Sequence, residues 1–178
     1  KKVDFRYLSQ EDILGLDISI NEIIDVVEKG LVAHSNKQIE MPPKPGIHTR
    51  DGAFIHAMPA WIKDQDICGW KWVSGYPENG KLDLPSIAGL MILNDCETGM
   101  PLSVMDCRWL TAARTAAMTA ITAKYCAKKD SQTLAVIGTG VQGTINALML
   151  HAVMPKLKRV YAQDLNEDTR VRFAKYIS

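Results

Sequence analysis

Apolar residues in this 178-residue chain repeat with two periods, and the changes of period mark its elements. Ile20, Ile23, Ile24, Val27 and Leu31 recur at helical spacing, behind Ser19 as a cap and with Asn21 and Glu22 in the first turn. A second helical segment over residues 110–127 is rich in alanine, with Leu110, Ala113, Ala117, Ala120, Ile121 and Tyr125 available for packing and Asp106 or Thr111 as its cap. Short apolar runs predict strands at Phe5-Arg6-Tyr7-Leu8, Phe54-Ile55-His56-Ala57-Met58-Pro59 and Ile67-Cys68-Gly69-Trp70-Lys71-Trp72-Val73. Two more, Ile87-Ala88-Gly89-Leu90-Met91-Ile92-Leu93 and Met100-Pro101-Leu102-Ser103-Val104-Met105, form a hairpin through residues 94–99. The first of this pair is apolar throughout, which predicts burial on both faces. Met41-Pro42-Pro43-Lys44-Pro45-Gly46 forbids helix and predicts an extended connection, and residues 74–81 read as a turn-rich loop.

The last third of the chain changes pattern. Thr133-Leu134-Ala135-Val136-Ile137 predicts a strand, Gly138-Thr139-Gly140-Val141-Gln142-Gly143 a turn, and Ile145, Leu148, Met149 and Ala152 a helix. Leu157-Lys158-Arg159-Val160-Tyr161-Ala162 reads as a second strand, running into Asp164. The fold class is therefore α/β, with an N-terminal α+β domain over residues 1–127 and the first βαβα part of a Rossmann domain over residues 128–178. A doubly wound nucleotide-binding sheet needs more strands than follow Thr133, so the chain is expected to be truncated.

Composition narrows the function classes. A net charge of +1 with 23% charged residues leaves no electrostatic footprint for nucleic acid or an anionic membrane. No apolar run approaches a membrane span, and Lys1-Lys2-Val3-Asp4 leads into mixed sequence rather than a signal-peptide core. Cys68, Cys96, Cys107 and Cys126 form no CxxC pair, which points to buried free thiols in a reducing cytoplasm. His34, His48, His56 and His151 have no metal-ligand spacing, and no metal is expected.

Three features carry candidate chemistry. In the strand–turn–helix context, the first glycine of the GxGxxG stretch permits the turn, the second admits a pyrophosphate close to the backbone, and the third lets the helix pack on its strand. The phosphates would lie at a helix N-terminus. Asp164, about 20 positions past the turn, is placed to accept ribose hydroxyls and repel a 2′-phosphate, which predicts NAD rather than NADP; Arg170 lies too far along to be a phosphate partner. In the strand 67–73, alternation puts Ile67, Gly69, Lys71 and Val73 on one face and Cys68, Trp70 and Trp72 on the other. Lys71 either snorkels at a sheet edge or faces a cavity where its ammonium acts. Arg114 and Thr115 sit near the start of the alanine-rich helix, where an arginine opposes the helix dipole; it is either a solvated surface residue or an anion clamp.

Four motifs in order, Lys71-Trp72-Val73-Ser74-Gly75-Tyr76-Pro77-Glu78-Asn79, Asn94-Asp95-Cys96-Glu97-Thr98-Gly99-Met100-Pro101-Leu102, Leu110-Thr111-Ala112-Ala113-Arg114-Thr115-Ala116-Ala117 and the Gly138 turn, resemble the ornithine cyclodeaminase/mu-crystallin family, which includes archaeal-type alanine dehydrogenases and several imine reductases. The resemblance runs over residues 41–164. It implies a homodimer in which a substrate and dimerisation domain, completed by a returning C-terminal segment, adjoins a Rossmann domain. Lys71 then matches the active-site lysine, Arg114 the arginine beside nicotinamide and diphosphate with Thr115 as neighbour, and Ser86 a position near the cofactor often held by threonine. Gly138, Thr139, Gly140, Val141, Gln142 and Gly143 occupy the phosphate turn, and Asp164 the ribose-binding position.

Two departures bear on substrate. Lys44 stands where many members carry an arginine that grips the substrate carboxylate, and a lysine lacks that bidentate fork. The family's catalytic aspartate falls beyond Ser178. The implied function is NAD-dependent hydride transfer at the amino-bearing α-carbon of a small amino or imino acid, cyclodeaminase-like or dehydrogenase-like. A non-catalytic, nicotinamide-dependent small-ligand-binding protein of the mu-crystallin type is the alternative.

Overall fold

Short-range hydrogen bonds fix the starts of the first two helices in the computed structural model, which describes residues 4–178; Lys1, Lys2 and Val3, read above for targeting signals, lie outside the described residues. Helix α1 (Gln10–Leu14) opens on a capping box in which Asp12 N–H donates to Ser9 Oγ at 3.1 Å and Ser9 N–H to Asp12 Oδ2 at 2.7 Å. Helix α2 (Ile20–Ser35) repeats the device: Glu22 N–H donates to Ser19 Oγ at 3.2 Å, and Ser19 N–H to Glu22 Oε2 at 2.9 Å. The cap assigned to Ser19 is thus present.

The chain forms two compact units. The first comprises Lys1–Asp17 and Gly30–Leu110, the second Ile18–Lys29 and Thr111–Ser178. This grouping differs from a division at residue 127 in placing residues 18–29, which open α2, and residues 111–126, most of the long helix α3 (Arg108–Cys126), with the second unit.

The first unit is built on a seven-stranded sheet of order β1-β7-β6-β5-β4-β2, with β3 also paired to β4. Its strands are β1 (Arg6–Leu8), β2 (Ile39–Glu40), β3 (Gly46–Ile47), β4 (Phe54–Ile62), β5 (Ile67–Gly75), β6 (Ile87–Asn94) and β7 (Pro101–Asp106). All pairs are antiparallel except β1 with β7. A 3-10 helix (Pro77–Leu82) fills much of the expected loop, because β5 continues through Ser74 and Gly75. The β6–β7 hairpin closes through Asp95, whose Oδ1 accepts Thr98 N–H at 2.7 Å, and Gly99 at φ +73°.

The two faces of this sheet reverse the usual polarity. Lys71 is 7% exposed and Val73 5%, whereas Trp70 is 47% and Trp72 49% exposed. Strand β5 lies inside the sheet, between β4 and β6, so the edge reading of Lys71 does not apply. Strand β6 is not buried on both faces: Ile87 is 38% and Leu90 39% exposed. Leu90 pairs with Trp72 and so belongs to the same open face, which the apolar run by itself does not reveal.

The second unit holds β8 (Thr133–Ile137), α4 (Val141–Val153), β9 (Arg159–Gln163) and α5 (Glu167–Ile177), with β8 and β9 paired in parallel. Ala147, Met149 and Phe173 are its buried anchors on α4 and α5. Ala152 is exposed, outside the expected stripe. On α3, Ala112, Ala113, Ala116, Ala117, Ala120 and Ile121 are buried. Tyr125 instead stays 68% exposed, with its hydroxyl on the Glu28 carboxylate, which also accepts from Lys124 Nζ at 2.7 Å and so ties α2 to α3. Asp106 rather than Thr111 meets the start of α3, accepting Arg108 N–H at 2.8 Å, since the helix already includes Thr111. All four cysteines are free thiols, but Cys107 alone of them is buried and Cys126 is exposed. No helix among the described residues is long and apolar enough to cross a membrane.

Candidate functional site

Parallel pairing of β8 with β9 aligns Ile137 with Gln163, so the residues after each strand end side by side. The chain leaves β8 through Gly138, whose φ of +87° is left-handed backbone suited to glycine and whose N–H donates to Gln163 O at 2.8 Å. Gly140 is the N-cap of α4, and a β-carbon there would meet nothing within 4 Å. Backbone at the helix start is therefore open to approach, with Val141 and Gln142 exposed and no acidic residue in the first turn. Gly143 is the opposite case. A β-carbon there would lie 2.0 Å from Gly138 O and 3.3 Å from Val136 Cγ1, so the helix sits too close to the turn for any side chain.

Thr139, between the first two glycines, is 2% exposed. Its N–H and hydroxyl both donate to Asp164 Oδ2, at 2.6 and 2.9 Å, and Asp164 Oδ1 accepts Asn166 N–H at 2.9 Å. These bonds, the Asn166 one foremost and then those from Thr139, hold the Asp164 carboxyl below its ordinary 3.8. It is a carboxylate at neutral pH. Motif spacing identifies Asp164 but not its bonds to Thr139, which follow from the parallel register of β8 and β9. Arg170 pairs with Glu167 at 3.2 Å.

Arg114 and Thr115 share this unit, on α3. Arg114 is exposed and, among the described residues, no carboxylate pairs with it; Thr115 Oγ1 donates to Thr111 O at 2.7 Å.

The other candidates lie in the first unit. Lys71 is buried on β5, directly opposite Met58 of β4 and Met91 of β6. Lys44 is exposed in the proline-rich connection, and Ser86 is exposed before β6, its carbonyl accepting Tyr76 N–H at 2.8 Å. His56, opposite Val73, shares the face of Lys71. Its ring stacks on Phe54 at 4.3 Å and meets His48 edge-on at 6.3 Å. Burial first, then the charges of Lys44 and His48, lower its pKa from 6.5, so the imidazole is neutral at pH 7. No local motif marks His56 as a site residue. Two-residue alternation puts it with Met58, but only the β4–β5 register aligns both with Lys71.

The model of the ornithine cyclodeaminase/mu-crystallin family matches residues 6–178, wider on both sides than the motif-bearing stretch. Nodulation efficiency protein NfeD of Rhizobium meliloti is 42% identical over 163 residues, covering 92% of this chain and 51% of that protein. Among solved structures, Thermococcus litoralis Delta(1)-pyrroline-2-carboxylate reductase in complex with NADH and L-proline superposes with a TM-score of 0.94 at 34% identity, over 98% of this chain and 54% of that one. An archaeal alanine dehydrogenase dimer with bound NAD gives 0.89 at 35% identity, over 97% and 52%. The chain spans about half the length of these relatives.

Two outcomes test the turn. Gly143→Ala is expected to destabilise the full-length protein by about 1–3 kcal/mol in urea unfolding, because overpacking forces α4 off its strand; unchanged stability would show that the close approach is not needed. The Asp164 bonds supply stability that is complete above 3.8 and is lost as pH falls through the lower native value. Asp164→Asn should therefore lower the unfolding midpoint at pH 7, and the gap to the parent should close at more acid pH. A gap independent of pH counts against the carboxylate.

Proposed function

The chain belongs to the ornithine cyclodeaminase/mu-crystallin family, and on that premise we propose that it is part of an NAD-dependent enzyme that transfers hydride at the amino-bearing α-carbon of a small amino acid. The observation that carries this reading is the turn after β8, with open backbone at Gly140, close packing at Gly143 and an ionised Asp164 beside it. This geometry fits a dinucleotide. Backbone N–H groups at Val141 and Gln142 would take the pyrophosphate, and Asp164 the ribose hydroxyls. Its charge opposes a 2′-phosphate, which favours NAD over NADP. When bound, the nicotinamide supplies the acceptor or donor of hydride.

The chain's own residues position the substrate. Lys71, with Lys44 as a second cation, would hold the substrate carboxylate and so orient the α-carbon for hydride transfer as the amine becomes an imine or the reverse. Arg114, Thr115 and Ser86 are assigned to the cofactor by likeness to the family. Hydrolysis of the imine releases ammonia with reduced cofactor, as in a dehydrogenase. Internal attack by a second amino group on the imine expels ammonia, and return of the hydride to the resulting cyclic imine leaves no net redox change, as in a cyclodeaminase. Residues 1–127 are proposed as the substrate and dimerisation part and residues 128–178 as the cofactor part, in the cytoplasm.

A homodimer is part of this proposal, and the open face of the first unit's sheet supports it. Trp61, Trp70, Trp72 and Leu90 are each more than a third exposed, and Trp61 and Trp70 line a groove of about 570 Å³. An apolar surface of this kind marks a protein interface.

Incubating the full-length protein and NAD with a panel of amino acids, while following NADH and ammonia, separates the two chemistries. Lys71→Ala is expected to reduce turnover roughly 100-fold or more; unaltered turnover would sink its role. Tighter binding of NADPH than NADH would overturn the role of Asp164. Ligand binding without turnover in either form would favour a mu-crystallin-type binding protein. For the dimer, Trp70→Glu should shift sedimentation to that of a monomer, and an unchanged dimer would place the interface elsewhere.

A further inference from the structure

Two thiols meet where β5 begins and the β6–β7 hairpin turns. Cys68 pairs with Asn94 across β5 and β6, and Cys96 follows Asn94 and Asp95 in the turn. Cys68 Sγ donates to Asn94 O at 3.4 Å, and Cys96 Sγ donates to Asp66 O at 3.1 Å. Each side chain thus reaches toward the strand end that carries the other, and the two thiols hydrogen-bond to one another. That contact first, then burial and the neighbouring Asp66, pushes the Cys96 thiol up to about 12, so it is protonated at neutral pH. Both residues are half-buried, and Glu97, Thr98 and Gly99 beside Cys96 are exposed. The remaining cysteines differ from this pair: Cys107 is fully buried, and Cys126 is exposed on α3.

We propose that Cys68 and Cys96 are a redox pair that closes to an intramolecular disulfide in the presence of a low-molecular-weight disulfide, fastening the start of β5 to the β6–β7 turn. Side chains that already point at one another meet the first geometric requirement of the bond. The pair carries at most one thiolate at a time, and one is what the exchange needs. That thiolate attacks a sulfur of the small disulfide, whose S–S bond breaks; a mixed disulfide forms on the protein, and one small thiolate leaves and takes up a proton. The second cysteine then gives up its proton and attacks the protein sulfur of the mixed disulfide. The Cys68–Cys96 bond forms and a second small thiol departs. The protein loses two electrons and two protons, and the small disulfide is reduced to two thiols. Closure joins β5, the 3-10 helix and β6 into one loop, which restricts the unfolded chain more than the folded one. In a reducing compartment the pair rests as thiols, and an oxidising shift of the thiol pool sets the bond.

Oxidised glutathione is the probe. Full-length protein is reduced, freed of reductant, incubated with it, blocked with N-ethylmaleimide and digested without reduction. Mass spectrometry should show the Cys68 and Cys96 peptides joined and lighter by two hydrogen atoms than the separate thiols, with a glutathione adduct left on exposed Cys126. Recovery of Cys68 and Cys96 as separate blocked thiols or lasting adducts, or either one joined to a different cysteine, overturns the inference. Cys96→Ser should raise the glutathione adduct on Cys68 at least about tenfold over the parent, because no neighbouring thiol remains to expel it. Cys68→Ser should do the same at Cys96 and serves where the first variant does not fold. Adduct levels equal to the parent's count against the pair. In a Cys126→Ser background, the oxidised protein should unfold at higher urea than the reduced protein, and equal midpoints would show that the bond does not fasten the sheet.

Discussion

The register of β5 between β4 and β6 is the constraint on which the first unit depends. Side chains alternate with a period of two, so a slip by one residue would bring Trp70 and Trp72 to the covered face and turn Lys71 outward. Nine paired positions with β4 and eight with β6 hold the register. The close fit at Gly89 helps: a β-carbon there would meet Trp72 O at 2.1 Å, so this point of β6 tolerates no side chain against β5. The burial of the Lys71 ammonium thus follows from a register held along the whole length of β5.

The second unit obeys the same kind of rule with parallel strands. Pairing Ile137 with Gln163 forces the turn after β8 and the segment after β9 to meet, and Thr139 and Asp164 convert that meeting into two hydrogen bonds. The carboxylate thereby orders the turn from inside. Asp164 Oδ1 carries one bond, from Asn166, and a carboxylate oxygen has room for more than one donor. A structural role for the carboxylate and a ligand-binding one are therefore compatible at the same residue.

Much of the fold was legible in the chain because strong local signals agree with the tertiary arrangement. Ser19 with Glu22, the apolar run before Gly138, and the hairpin around Asp95 and Gly99 each state their structure within a few residues. The candidate site was legible where its residues are consecutive, as in residues 138–143. It was not legible where it depends on pairing across strands: His56 and Met58 join Lys71 through register, and Thr139 joins Asp164 through parallel alignment of β8 and β9. The open face of β6 is hidden for the same reason, since an apolar run does not say whether both faces of its sheet are covered. Tyr125 departs for a different reason, because an aromatic at helical spacing can lie on the surface when its hydroxyl has a partner such as Glu28.

The inverted polarity of the sheet joins these points. Tryptophan is highly buried on average and lysine almost never, yet on this sheet Trp61, Trp70 and Trp72 are open and Lys71 is buried. Folding alone would favour the reverse. A buried lysine is less screened by water than a surface one, and the proposed carboxylate-binding role of Lys71 rests on that difference. The exposed tryptophans in turn form a broad apolar surface, the one on which the proposed homodimer rests. Both departures from the simplest packing have one origin, the register that faces Lys71 inward and Trp70 and Trp72 outward.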